Sequence, residues 1–198
     1  MDEQIVNISI LDLYDHIIDN KFTIVGSPKG VGFSTMMANW IAFKMFFNND
    51  FSIVVLTDCR KSQIDMLFKI QKAYTYFQCQ LVQEGNFLYT KSKKSSGVYV
   101  LNYNEIPLET LDEQYDLIIV DKDDFSDYLY EHVIHLFDSS KQLIFNTYDL
   151  PQSIFHNLED VEKVTIYSEY SKDNWSLVNE DTNAINYQRI LLGEFKPL

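Results

Sequence analysis

The segment Phe22-Thr-Ile-Val-Gly-Ser-Pro-Lys-Gly-Val-Gly-Phe-Ser-Thr35 gathers three of the chain's six glycines between positions 26 and 32, where a β-branched run gives way to an apolar helix. Backbone N–H groups at such a turn, together with the positive end of the following helix, form an anion cradle that needs no side-chain charge. That is the chemistry of a phosphate-binding loop. Setting Gly32 as the last glycine of G-x-x-x-x-G-K-[ST] puts Ser27 at the first glycine, Phe33 at the lysine and Ser34 at the hydroxyl that holds Mg²⁺. The nearby loop cation is then Lys29, three residues before Gly32, with the reach to fold back over phosphates. The nucleotide-binding candidates are Lys29, Gly30, Val31, Gly32, Phe33, Ser34 and Thr35, with Thr35 as the metal hydroxyl if the register slips.

Hydrolysis of a nucleoside triphosphate also requires an acidic residue for the metal and a group that orients the attacking water. Asp121 closes the run Tyr115-Asp-Leu-Ile-Ile-Val-Asp and is the natural carboxylate for Mg²⁺ beside Ser34. The next residue, Lys122, has the wrong charge to orient water, which leaves Asp123 or Asp124 as substitutes with shorter reach. Asn146 and Thr147 end another buried run and are candidates for sensing the nucleotide. Plainer roles fit the same residues: a simple strand-to-helix connection for the glycine turn, a cap for Asp121, and turn formation for Asn146 and Thr147. Lys91, Lys93 and Lys94 are either a solvated hairpin tip or a nucleic-acid contact. His16, His132, His135 and His156 lack the companions of a metal site, and no Ser-His-Asp arrangement is supported.

The elements that must position these groups follow from periodicity. Residues 8–20 carry apolar groups at helical spacing after an N-cap at Ser9, and Phe22 to Val25 is the first strand. Ser34 to Phe47 is a helix apolar on all sides, ended by Asn48-Asn49-Asp50, which implies burial against a sheet. Ser52 to Thr57 is a continuous apolar run typical of a parallel strand covered on both faces, and Lys61 to Phe77 returns to helical periodicity. Phe87–Thr90 and Val98–Leu101 flank the polar Lys91–Gly97 as a hairpin. Strands follow at Tyr115–Asp121, Gln142–Thr147 and Val161–Tyr167, with helices at about 127–137 and from 181 to 192, the latter capped by Gly193. The fold class is α/β, a mainly parallel sheet flanked by helices with an inserted β-hairpin. Ligands on such sheets bind beyond the strand carboxyl ends, where the loop after Val25, Asp121 and Asn146-Thr147 all fall.

A chain of 198 residues suits one α/β domain, residues 1–198. The net charge of −13 argues against a surface that is basic throughout, so any nucleic-acid contact is local or supplied by partner subunits. Cys59 and Cys79 have no metal-ligand spacing and are expected to be reduced, buried thiols. With no membrane span and no basic signal sequence at Met1-Asp-Glu-Gln, a cytosolic location is expected.

Taken in order, these segments resemble the N-terminal ATPase domain of the large terminase subunit, the DNA-packaging motor of tailed bacteriophages, within the P-loop NTPase (RecA/terminase-like) class. Leu13-Tyr-Asp-His-Ile-Ile18 is similar to the family's adenine-side segment, with Asp15 in place of a glutamine. Ser27–Thr35 resembles its deviant Walker A loop, in which Lys29 matches an early basic position and an aromatic precedes the serine. Val54–Gln63 is similar to the next strand and its polar turn, Asp116–Phe125 to the Walker B region, Leu143–Thr147 to the coupling motif, and Tyr187–Phe195 to the closing sequence. Lys122 stands where the family has its catalytic glutamate, and the chain stops where the family's nuclease domain begins. The resemblance implies ATP and Mg²⁺ binding at Lys29, Ser34 and Asp121, with phage packaging or assembly proteins, a separate nuclease, double-stranded DNA and further copies of the chain as partners. A pseudo-ATPase that retains the fold as an interaction or regulatory module is the alternative.

Overall fold

The computed structural model describes residues 6–8, 10–27, 30–91, 95–105, 114–121, 140–147 and 162–166. The strands are β1 (Val6–Ile8), β2 (Phe22–Gly26), β3 (Ser52–Thr57), β4 (Leu81–Glu84), β5 (Phe87–Thr90), β6 (Gly97–Asn102), β7 (Leu117–Asp121), β8 (Leu143–Thr147) and β9 (Glu162–Ile166). The α-helices are α1 (Leu13–Ile17), α2 (Phe33–Phe47) and α3 (Arg60–Thr75). The nine strands among the described residues form one sheet in the order β1-β9-β2-β8-β7-β3-β6-β5-β4. Pairing from β1 through β6 is parallel, and β5 and β4 extend the edge antiparallel.

The central strands are apolar on both sides because both sides are covered. Val25, Ile53, Val55, Val100, Ile119 and Ile144 pack with α1, α2 and α3, while Ile24, Val54, Leu56, Ile118, Val120 and Phe145 form the core of the opposite face. Each such side chain taken from water contributes ~1.5–3 kcal/mol before entropy is subtracted. Near-total burial of α2 explains its lack of a polar stripe: Met36, Met37, Ile41 and Ala42 are each 0% exposed. Only its last turn emerges, with Phe46 and Phe47 exposed. Asn48 ends the helix by donating from both its backbone N–H and its side chain to the Lys44 carbonyl.

Several boundaries depart from the sequence reading. Residues 6–8 are a strand pairing with β9, so the amphipathic segment expected from residue 8 is shortened to a 3₁₀ turn at Ile10–Asp12 followed by α1. β4 is an additional half-polar edge strand that alternation did not single out. Both cysteines are exposed rather than buried: Cys59 occupies the turn at the N-cap of α3, and Cys79 follows Gln78, whose φ of 57° takes the chain out of that helix. Ser9, the segments expected at 127–137 and 181–192, and Gly193 lie outside the described residues.

Candidate nucleotide site

The β2-to-α2 turn places an N-terminus at the carboxyl edge of the sheet. Gly30 and Gly32 have φ of 86° and 95°, a left-handed conformation that a side chain resists, while Val31 between them does not. Such alternation turns successive N–H groups toward one side. Gly32 is the N-cap of α2, and no side chain caps the helix, so its first amides keep their donor capacity. Phe33, at the lysine position, is 4% exposed and belongs to the core with α1 and α2 rather than to a cation site.

The next residue begins a hydrogen-bonded chain across three strand ends. Ser34 Oγ donates to Asp121 Oδ2 at 2.8 Å, and Asn146 Nδ2 donates to Asp121 Oδ1 at 2.8 Å. Ser27 Oγ in turn donates to Asn146 Oδ1 at 2.5 Å. The Ser27 N–H continues the β2–β8 ladder by donating to the Thr147 carbonyl at 2.9 Å. Register accounts for the meeting: Asn146 pairs with Asp121 on β7 and with Val25 on β2, one residue short of the glycine turn. Because parallel partners share a face, Asn146, Asp121, Thr57 and Asn102 form one polar row above the apolar tiers. Asn146 is 7% and Ser27 5% exposed, so the two polar groups satisfy one another out of water.

The sequence candidates therefore divide. Ser34, Asp121 and Asn146 converge; Thr147 is buried beside them and contributes its carbonyl; Thr35 lies half-buried on α2. Lys29, Asp123 and Asp124 lie outside the described residues, as do Lys93 and Lys94, whereas Lys91 is exposed after β5. Ser27 was missed as a site residue because sequence alignment treats it only as a missing glycine; its hydroxyl is what orients the Asn146 amide. Tyr14, within the segment read as adenine-side and on the apolar face expected of the first helix, is 1% exposed, with its ring 5.2 Å from Trp40 and its hydroxyl donating to the Met36 carbonyl at 2.9 Å. It ties α1 to α2.

A second carboxylate, Asp116, sits at the opposite end of β7 and has a structural role. It accepts from the Ser52 N–H at 2.8 Å, from Ser52 Oγ at 3.1 Å and from Lys141 Nζ at 2.6 Å. Burial pushes this carboxyl up, but the bonds from Lys141 and Ser52 outweigh it and hold the pKa below the ordinary value.

No family model matches the sequence, and no curated protein matches it. Solved structures do. The large terminase of a thermophilic bacteriophage in complex with ADP superposes with a TM-score of 0.60 at 11% identity, over 83% of this chain and 48% of that one. The fold is that of a large-terminase ATPase domain. A Thermus phage P74-26 large terminase ATPase domain gives a TM-score of 0.54 at 12% identity, with 87% of this chain and 83% of that chain covered. The bacteriophage Phi-29 genome packaging motor assembly gives 0.56 at 13% identity, over 92% of this chain and 67% of that chain. The chain spans about half the length of the ADP-bound thermophilic-phage protein. No described helix is long and apolar enough to cross a membrane.

Proposed function

We propose that the chain is a terminase-like P-loop domain that binds ATP with Mg²⁺ and takes part in phage DNA packaging or assembly. The observation that carries this reading is the Ser34–Asp121 contact of 2.8 Å at the start of a helix whose first amides are uncapped. Bound Mg²⁺ offsets the negative charge of the phosphates. The amides from Gly30 to Ser34 and the Lys29 ammonium bind the phosphate oxygens; the Ser34 hydroxyl and Asp121 carboxylate supply hard oxygen ligands for the metal. A single carboxylate beside a hydroxyl would suit Mg²⁺, which keeps several waters and is commonly held by one or two carboxylates together with substrate phosphates. Asn146, held by Ser27 against Asp121, senses occupancy, with Thr147 behind it. Solved relatives of this fold hold ADP and ATP-gamma-S.

Partners follow as part of the proposal: other packaging or assembly proteins, a separate nuclease, further copies of the chain, and double-stranded DNA against Lys91, Lys93 and Lys94. Binding without turnover is the second reading, favoured by Phe33 and Lys122 at the positions where the motifs carry lysine and glutamate. Isothermal calorimetry with Mg-ATP-gamma-S tests the first step. The expected result is sub-millimolar binding that Asp121→Ala weakens about tenfold or more, which corresponds to ~1.4 kcal/mol. No heat at millimolar nucleotide, or equal affinity in both proteins, removes the proposal.

A further inference from the structure

Resting on the ATP-binding reading, we infer that Asp58, at the end of the neighbouring strand β3, is the carboxylate that orients the attacking water in place of the residue after Asp121. Thr57 pairs with Asp121 at the end of the β3–β7 register, so Asp58 is the first residue past the strand end beside Asp121; in the sequence Asp121 is followed by Lys122. Adjacent strands lie ~4.8 Å apart, within the span that an aspartate and one water bridge together. The backbone of Asp58 is held from both sides. Its carbonyl accepts from Asn104 Nδ2 at 2.7 Å, and Asn104 is itself anchored through its N–H to Asn102 Oδ1 at 3.1 Å. On either side, Thr57 Oγ1 donates to the Leu101 carbonyl at 3.2 Å, and the Cys59 carbonyl accepts the Gln63 N–H at 3.0 Å as α3 begins. Among the described residues nothing donates to the Asp58 carboxylate, whereas both oxygens of Asp121 are engaged by Ser34 and Asn146. Among the described residues at this edge, the carboxylate with no donor is that of Asp58, one residue past the Thr57–Asp121 pair.

Its side of the site is also the required one. In-line displacement puts the attacking water and the leaving oxygen on opposite sides of the γ-phosphorus. The turn after β2 holds the leaving side, and β3 lies across β8 and β7 from it. In the step, the water oxygen forms a bond to the γ-phosphorus. The bond from that phosphorus to the β,γ-bridging oxygen breaks, and its electron pair stays on ADP. Asp58 accepts the water proton and releases it to solvent, giving ADP, phosphate and a proton.

The test compares the wild-type 198-residue chain with Asp58→Asn, Asp58→Glu, Asp123→Asn and Asp124→Asn. Three measurements are made on each: Mg-ATP-gamma-S affinity, affinity for ADP with aluminium fluoride, and phosphate release. Support requires that Asp58→Asn keep analogue affinity within about threefold, lose the preference for ADP with aluminium fluoride over ADP, and slow turnover by ~10²-fold or more. Asp58→Glu, which keeps the carboxylate, should retain part of both, and it serves as the decisive variant if Asp58→Asn fails to fold. Wild-type turnover that survives Asp58→Asn, or that is lost only in Asp123→Asn or Asp124→Asn, overturns the inference. So does a wild type that binds analogue without turning over ATP, an outcome that leaves the binding proposal intact. A wild type that binds no nucleotide removes that proposal and this inference with it.

Discussion

Replacing Asn146 with alanine removes the middle of the Ser27–Asn146–Asp121–Ser34 chain, and the cost can be worked from its bonds. One is a neutral bond from Ser27, worth a net ~0.5–1.5 kcal/mol, and the other is a bond to the Asp121 carboxylate, worth ~1.5–3 kcal/mol. Because Ser27 is 5% exposed, water does not readily replace its lost acceptor. The sum is ~2–4.5 kcal/mol, or a fall in Tm of roughly 4–18 °C for a chain of this length. Urea unfolding of wild type, Ser27→Ala, Asn146→Ala and the double variant closes a cycle in which the two sites couple by at least ~0.5 kcal/mol. Asn146→Asp tests the sign. It sets a carboxylate against Asp121, so one of the pair must hold a proton, and the variant should recover stability as pH falls toward ~5. Additive single-site losses, or an Asn146→Asp variant that loses stability over that range in step with wild type, would refute the assignment of these residues to one network.

Three further outcomes follow. The Asp116 carboxyl titrates below its ordinary value of 3.8, so its contribution is complete above that pH and is lost as pH falls through the folded-state value. Asp116→Asn should cost ~1–2 kcal/mol at neutral pH, mostly through the Ser52 donors since Lys141 is 78% exposed, and unfolding curves of variant and wild type should converge in acid. Gly32→Ala must adopt a φ of 95° and should cost ~1–2 kcal/mol by thermal melting, with nucleotide affinity falling further as the loop amides turn away. If the hairpin lysines contact DNA, filter binding should weaken with salt, and Lys91/Lys93/Lys94→Ala should flatten that dependence; equal retention assigns them to solvation.

Much of this fold is written in runs of one residue type. Ser52–Thr57 and Leu143–Thr147 are apolar without alternation because parallel strands bury both faces, and the register of their polar ends follows directly. Ser34, Asp121 and Asn146 were legible for that reason: each ends or begins an element at the same edge of the sheet. Ser27 and Asp58 were not. Ser27 acts only because β8 inserts between β2 and β7, and Asp58 comes one residue past the partner of Asp121 only because β3 is the next strand; strand order is a long-range property that spacing along the chain does not encode. β1 escaped notice because three residues carry no usable period, and it forms by pairing with the distant strand β9. Tyr14 was legible as an apolar helix-face residue, but the bond from its hydroxyl to the Met36 carbonyl joins elements 22 residues apart and follows from packing rather than spacing.

Hydrogen–deuterium exchange with and without Mg-ATP-gamma-S tests the central claim most directly, since it reads the amides proposed to hold the phosphates. Nucleotide binding at the loop should slow exchange in peptides spanning residues 30–36 and 117–121, leave the β4–β5 edge at 81–90 unchanged, and lose the effect in Asp121→Ala. Nucleotide that binds while residues 30–36 exchange at their free rate would contradict it.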